Sequence, residues 1–465
     1  MNQMSICNDE NYESETYMDR ESRMAHESLG KLMLSMGIPT FIAQLINLLY
    51  NIVDRIYIGH IPGCGAQALT GVGLCVPVIT LISAFSQFVG AGGSPQAAIA
   101  LGMGKREDAE RILANGLTML ICFSLSLMLV FYKIKEPFLY LFGASDHTYP
   151  YANQYLSVYL LGTLFVQISL GLNLFITAQG QSRIAMVTVL IGAVANIILD
   201  PIFIFVLGYG IVGAAIATVI SQFLSAVWTL HFLLSDKATL RLKVGYMKPN
   251  LKIMAAIGSL GISPFIMSST ESLITVVFNR GALLYGNDLY VGSITILQSI
   301  LQMIFTPIQG FSQGVQPIIS YNYGAGNLHR VKGTCKRLIL ITSCSSFLLT
   351  LLAILFPAQV AGMFTTDAEL IAICKQMTHI FLAGMLIFGI QSGCQQSFMA
   401  LRQARKSLFF ALFRKVILLV PLALILPMLT GSVMGIYVAE PISDATSAIV
   451  CGLTFYHFIR RLKKV

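Results

Sequence analysis

The stretch that decides the fold is IAMVTVLIGAVANIILDPIFIFVLGYGIVGAAIATVISQFLSAVWTLHFLLS, residues Ile184–Ser235. Among Asp, Glu, Lys and Arg, only Asp200 interrupts it. A bilayer core takes about 20 apolar residues per helix, so this stretch holds two helices. They turn at Leu207-Gly208-Tyr209-Gly210, where paired glycines mark a break. Upstream, charge-free runs cover Leu32–Val53, Ala66–Gly104, Ile112–Tyr132 and Thr148–Ser182. Downstream come Ile253–Asn279 (broken by Glu271), Leu289–Leu328, Leu338–Thr366, Gln376–Leu401, and two helices between Val416 and Ile459 turning at Thr430-Gly431-Ser432. The sum is an all-α polytopic membrane protein of twelve spans.

Composition agrees. Of 465 residues, 55% are hydrophobic and 11% charged, with mean hydropathy +0.74; a soluble domain carries about 25% charged residues. The net charge of +9 is uneven, because residues 1–30 carry seven acids against Arg20 and Arg23. An acidic tail therefore precedes a basic body. The tail has no apolar segment with a cleavage site, which predicts no cleavable signal peptide and a first hydrophobic stretch that is itself a span. Of the 30 lysines and arginines, 25 fall at the termini and in the 2–3, 4–5, 6–7, 8–9 and 10–11 connections; the others are Arg55, Lys133, Lys135, Arg280 and Lys375. The positive-inside rule then places both termini in the cytoplasm of a cell bounded by this membrane. Such a pattern serves a membrane face and predicts no nucleic-acid partner. The nine cysteines form no CxxC pair, so neither a zinc site nor a disulfide framework is expected.

The two halves repeat each other. At an offset of 222, Leu141-Phe142 and Gly162 match Met363-Phe364 and Gly384, while Gly213, Ala217, Ser221, Ser225 and Ala226 match Gly435, Ala439, Ser443, Ser447 and Ala448. At 220, Gln96, Ile99 and Gly104 match Gln316, Ile319 and Gly324; at 225, Pro39 and Arg55 match Pro264 and Arg280. Six helices per half is an even number, so both lobes point the same way, related by a pseudo-two-fold axis along the membrane normal. The domains are then an acidic tail (1–30), a first lobe (31–243) and a second lobe (244–465). Two lobes facing each other across a midplane cavity is the geometry of alternating access.

No P-loop powers it: Gly30-Lys31 and Gly104-Lys105 lack the upstream glycine and the following Ser or Thr. Gly90-Ala91-Gly92-Gly93-Ser94-Pro95 lies in an apolar run, where a helix break or close packing is expected. No HExxH and no nucleophile–base set appears, so an enzyme is not expected; nor is a sensor, which needs an appended soluble domain. An ion gradient or passive flipping is left.

Ionisable residues inside spans are costly and hence functional candidates. Asp54 closes the first span beside Arg55, where an interfacial ion pair is the plain alternative. Asp200 follows Asn196 by four residues, on the same helix face, and precedes Pro201, which frees the carbonyl of Ile197. A carboxylate, an amide and a freed carbonyl together can hold a proton or Na⁺; a purely structural kink is the alternative. Glu271 sits mid-span among Ser268, Ser269, Thr270 and Ser272, hydroxyls able to satisfy it or leave it facing a cationic substrate. Asn279 stands where Asp54 would fall in the second half, and no acid accompanies Pro421, the counterpart of Pro201. The Asp54/Asp200 chemistry is thus expected in the first lobe alone. Glu271, Gln391, Gln395 and Met267 are the cavity-wall candidates, methionine being adaptable to varied ligands. No metal site and no cofactor are expected.

Three segments together resemble the multidrug and toxic compound extrusion (MATE) family, and within it the MepA-type multidrug exporters. They are Tyr50-Asn51-Ile52-Val53-Asp54-Arg55-Ile56-Tyr57-Ile58-Gly59-His60, then Ile191 to Phe205 followed by Gly213-Ala214-Ala215-Ile216-Ala217-Thr218, and Gln313 to Ala325. The resemblance runs from about Leu29 onward. It implies a two-lobe, twelve-helix bacterial inner-membrane antiporter, functional as a monomer among membrane lipids. Its cargo would be small-molecule drugs and organic cations, exchanged for H⁺ or Na⁺. It also implies a first-lobe ion site at Asp54, Asn196, Asp200 and Thr218. Some relatives use second-lobe acids on helices seven and ten; Glu271 matches the first approximately, and the tenth span holds no acid. The alternatives are a lipid-linked saccharide flippase of related fold and a narrow-substrate metabolite exporter. The flippase would present several cations to a pyrophosphate, whereas the helix bodies are expected to offer only Arg55 and Arg280, near helix ends.

Overall fold

The computed structural model describes residues 23–365 and 367–462. Most of the acidic tail, and Lys463 and Lys464 of the basic C-terminus, lie outside the described residues. The helices are α1 (Leu29–Gly59), α2 (Gly65–Gly102), α3 (Arg106–Leu141), α4 (Tyr149–Leu161), α5 (Thr163–Ala178), α6 (Ser182–Pro201) and α7 (Gly210–Leu234) in the first half. The second half has α8 (Leu251–Tyr285), α9 (Asp288–Gly324), α10 (Leu328–Leu355), α11 (Pro357–Gly362), α12 (Ala368–Phe381), α13 (Met385–Ala400), α14 (Ala404–Leu412), α15 (Val420–Thr430) and α16 (Met434–Arg460). Among the described residues there is no strand.

Ten continuous helical segments are long and apolar enough to cross a bilayer, and two bent pairs bring the number to twelve. The bent pairs are α4–α5, turning by 58° at Gly162, and α12–α13, turning by 55° at Gly384. These two glycines are equivalent in the repeat, and each is needed where a neighbouring helix crosses. A Cβ on Gly162 would stand 2.6 Å from Cγ2 of Val219, and one on Gly384 would stand 2.7 Å from Cα of Pro441. The expected turns also pair across the repeat. Gly208 and Gly210 (φ +69° and +52°) and Gly431 (φ +61°) adopt left-handed backbone that glycine tolerates without strain. A π-helical turn follows Pro201 at Ile202–Val206, and another precedes Pro421 at Phe413–Leu419.

The glycine-rich run at 90–95 is not a break: α2 runs through it, and its glycines serve close packing. A side chain at Gly92 or Gly261 would collide with the opposing backbone of α8 or α2, and one at Gly102 or Gly324 with that of α9 or α2. α1 meets α9 in the same manner through Gly37, Gly310 and Gly314. Every one of these approaches falls in the half of the bundle nearest the turns at 103–105 and 325–327. The lobes therefore touch at one end.

The segment joining the lobes is docked on the first. Lys243 pairs with the buried Glu110 at 2.7 Å. The α3 side chains Asn115 and Thr118 donate to the carbonyls of Tyr246 and Met247 at 3.3 and 2.9 Å, and the Asn250 amide donates to Asn115 Oδ1 at 2.8 Å. The Asn250 side chain then caps α8.

One expectation needs correction here. Arg414 and Lys415, counted above with the 10–11 connection, lie inside the span Ala404–Thr430, which begins twelve residues before Val416, and both are buried.

Candidate functional site

The first-lobe candidates converge. Asn196 and Asp200 lie one turn apart on α6, 2% and 0% exposed, and Asn196 Nδ2 donates to Asp200 Oδ1 at 3.3 Å. α1 packs along α6, and the Asp54 carboxyl meets that of Asp200, while Arg55 is exposed. Gly192, one turn before Asn196, lets α7 approach; a Cβ there would stand 2.5 Å from Ser225 Oγ. That approach brings Thr218 and Gln222 of α7 opposite Asn196, around a small cavity of about 30 Å³ also lined by Asn47, Tyr50 and Asn173. The space suits a water molecule or a small cation. Asn173 Oδ1 and Asn196 Oδ1 on this wall, and Asp54 Oδ1 and Asp200 Oδ2 just beyond it, are buried oxygens with no protein partner. Buried polar atoms are ordinarily satisfied, so this group is poised to accept a proton or coordinate a cation. Asn47 and Tyr50 were not singled out from sequence; their signal is the helical spacing 47, 50, 54, which sets them on the face that carries Asp54.

Between the lobes lies a second cavity, of about 60 Å³, contributed by α2, α5, α8, α9 and α13. Its wall holds six glutamines (Gln87, Gln309, Gln313, Gln316, Gln395 and Gln396) with Met267, Met399, Phe305 and Phe388, and no acid or base. Of the cavity candidates, Met267 and Gln395 line it and touch, Gln395 Nε2 lying 3.1 Å from Met267 Sδ. Gln391, one turn before Gln395 on α13, is buried outside that wall with Oε1 unpartnered. Glu271, one turn beyond Met267, does not line the cavity. Its partner is the ammonium of Lys415 at 3.1 Å rather than the neighbouring hydroxyls; Thr270, for one, bonds back to the carbonyl of Ile266.

Sequence reading missed a cluster in the second lobe. Arg414, in the π-helical turn, donates through Nε to Asp444 Oδ1 at 2.6 Å and reaches Glu440 Oε1 at 3.5 Å. All three side chains are buried, and the guanidinium also stacks 4.3 Å from the centroid of Phe388. The second lobe therefore has buried acids of its own, supplied by the last helix instead of the one that carries Pro421. The repeat register held the signal: at offset 222, Glu440 and Asp444 fall on Thr218 and Gln222. The count of intramembrane cations is likewise corrected, since Arg414 and Lys415 join Arg55 and Arg280.

Relatives and solved structures place this geometry. Multidrug export protein MepA of Staphylococcus haemolyticus (strain JCSC1435) is 25% identical over 419 residues, 89% of this chain and 91% of its own. Its namesake from Staphylococcus aureus (strain N315) is 25% identical over 423 residues, 90% and 93% of the two chains. The fold is shared with an outward-facing multidrug resistance MATE family transporter of the MOP superfamily (TM-score 0.87, 23% identity, 94% of this chain and 97% of that one). It is shared as well with a MOP superfamily transporter from Pyrococcus furiosus, described by the reverse polarity of its binding pocket (TM-score 0.88, 23% identity, 95% and 98%). The MatE family model matches residues 39–202 and 264–425, in corresponding parts of the two lobes, and this chain belongs to that family.

Proposed function

We propose that the protein is a secondary active antiporter that exports amphipathic, often cationic, compounds in exchange for H⁺ or Na⁺. The observation that carries this reading is the group of three unpartnered buried oxygens on Asp54, Asn196 and Asp200. Two ionised carboxyls side by side in low dielectric repel each other, and one bound cation removes the repulsion. Pro201 and the π-helical turn after it leave α6 loosely braced at that point. Occupancy is thereby tied to the packing of α6 on α1 and α7. Coupling needs only that the two packings differ in affinity for cargo. The glutamine, phenylalanine and methionine wall of the central cavity suits cargo with rings and scattered polar groups. The names of the MepA relatives support multidrug cargo.

The bias of basic residues supports cytoplasmic termini in a bacterial cell membrane. With that orientation the lobes are closed on the cytoplasmic side, and the central cavity belongs to the outward-facing state. A lipid-linked saccharide flippase is the second reading, since Arg414 and Lys415 add two cations to Arg280 in the second-lobe spans. Those two are held by carboxylates, and Arg280 does not line the central cavity, which leaves no cationic wall there for a pyrophosphate.

Purified protein in liposomes, loaded with ethidium, tests the reading under an imposed pH gradient without Na⁺ and then under a Na⁺ gradient. Asp200→Asn is expected to lower gradient-driven flux by about 5- to 150-fold, the usual span of a coupling free energy. Undiminished flux after neutralising both Asp54 and Asp200 would sink the antiport site. An absence of dye movement under either gradient would favour the flippase or a narrow-substrate exporter.

A further inference from the structure

Five ionisable side chains meet inside the second lobe, and their charges do not cancel. Lys415 and Glu271 balance each other at 3.1 Å. Arg414 faces two carboxylates, Glu440 and Asp444, one turn apart on α16, so this trio carries one negative charge in excess. Asp444 is 0% exposed, and its Oδ2, buried beside the guanidinium, has no partner. The other elements packed against the trio supply no further cation. α13 and α15 contain no acid or base; Lys375 and His379 of α12, Lys252 and Arg280 of α8 and Arg405 of α14 are exposed; Lys406 of α14 stacks on Phe458; and Glu271 of α8 is held by Lys415. An uncompensated charge in hydrocarbon is strongly unfavourable. One proton on a carboxyl oxygen neutralises the trio and converts an orphan acceptor into a donor. A metal cation fits less well, because Arg414 already occupies the carboxylates.

The trio also touches the α12–α13 bend and the wall of the central cavity. A Cβ on Gly384, at the α12–α13 bend, would stand 2.7 Å from Cβ of Asp444. The Arg414 guanidinium lies over Phe388, whose ring lines the central cavity. We propose that Glu440, Asp444 and Arg414 form a second proton-binding site, in the second lobe, that takes up one proton independently of Asp54 and Asp200. Its purpose in transport rests on the antiport reading above; its existence does not, and proton binding can be read directly.

The test is infrared spectroscopy of the full-length protein in lipid, following the carbonyl band of protonated carboxyls as pH is varied. In the Asp54→Asn, Asp200→Asn variant, which leaves the trio untouched, one pH-dependent band is expected to remain. Labelling aspartate or glutamate with ¹³C should shift that band, and adding Glu440→Gln and Asp444→Asn should abolish it. No remaining band in the first-lobe variant would overturn the proposal, and so would a band that persists after both second-lobe substitutions. Because the first-lobe variant alone can give the negative result, misfolding of the trio variants does not shield the proposal. Undiminished dye transport in the first-lobe variant, with the band retained, would fault the antiport reading and not this one.

Discussion

In the first lobe, Asp200 takes its hydrogen bond from an amide, Asn196, and meets a second carboxyl beside a small polar cavity. In the second lobe, Asp444 takes its bond from a guanidinium, and Glu440 takes a longer one from Nη2 of the same cation. The frames are repeats, down to glycine bends at 162 and 384 and a π-helical turn beside each proline. What differs is compensation. An amide partner orders a carboxyl without cancelling its charge, so nothing within the chain compensates the first-lobe pair. A guanidinium cancels one charge of two, so the second-lobe cluster is compensated in part. The comparison teaches that the donor's charge, more than burial, decides how much of a buried carboxyl's charge the chain itself balances.

That contrast can be broken or sharpened by substitution. The largest effect is expected for Arg414→Leu, which strands Glu440 and Asp444; losing one partner of a buried ion cluster costs about 3–5 kcal/mol. Thermal unfolding in detergent at neutral pH checks this, and a melting point equal to that of the parent would show that Arg414 does not compensate the acids. A smaller effect separates the two bends. Gly384→Ala drives a methyl against the backbone of Pro441, whereas Gly162→Ala meets the side chain of Val219, which can shift. Overpacking of about 1–3 kcal/mol is expected at Gly384 and less at Gly162; equal losses would mean that the bends are equally braced. The smallest change belongs to Glu271→Gln. Its side chain is 56% exposed, and exposed ion pairs contribute about 0–1 kcal/mol, so the melting point should barely move. A large drop would place Glu271 inside the second-lobe cluster.

Hydropathy and length disclosed the spans, and repeat offsets disclosed which positions correspond, because both are one-dimensional signals. The pairing of Asn196 with Asp200 was legible from its four-residue spacing. That Asp54 meets Asp200 was suggested only by resemblance, since nothing in the sequence sets how α1 rotates against α6. Arg414 and Lys415 were misplaced because a cation at the edge of an apolar run reads as loop, although here the helix begins at Ala404. Glu440 and Asp444 went unnoticed for a related reason: their cation lies 26 and 30 residues away, on another helix. Gln391 and Gln395 differ by one turn and share a helix face, yet only the second lines the cavity; where the cavity ends along α13 is not written in that spacing.

The docked segment between the lobes bears on which part moves. Held to α3 as far as Asn250, it travels with the first lobe, so any rocking has its pivot at the start of α8. The lysines and arginines of the segment, Lys237, Arg241, Lys243 and Lys248, then stay with the first lobe at the membrane face. On the antiport reading, the first lobe would serve as the stator, with the linker's cations at its membrane face, and the second as the rotor, joined to it at the start of α8. Cutting the chain just after Asn250 would leave the mooring whole and sever only the axle.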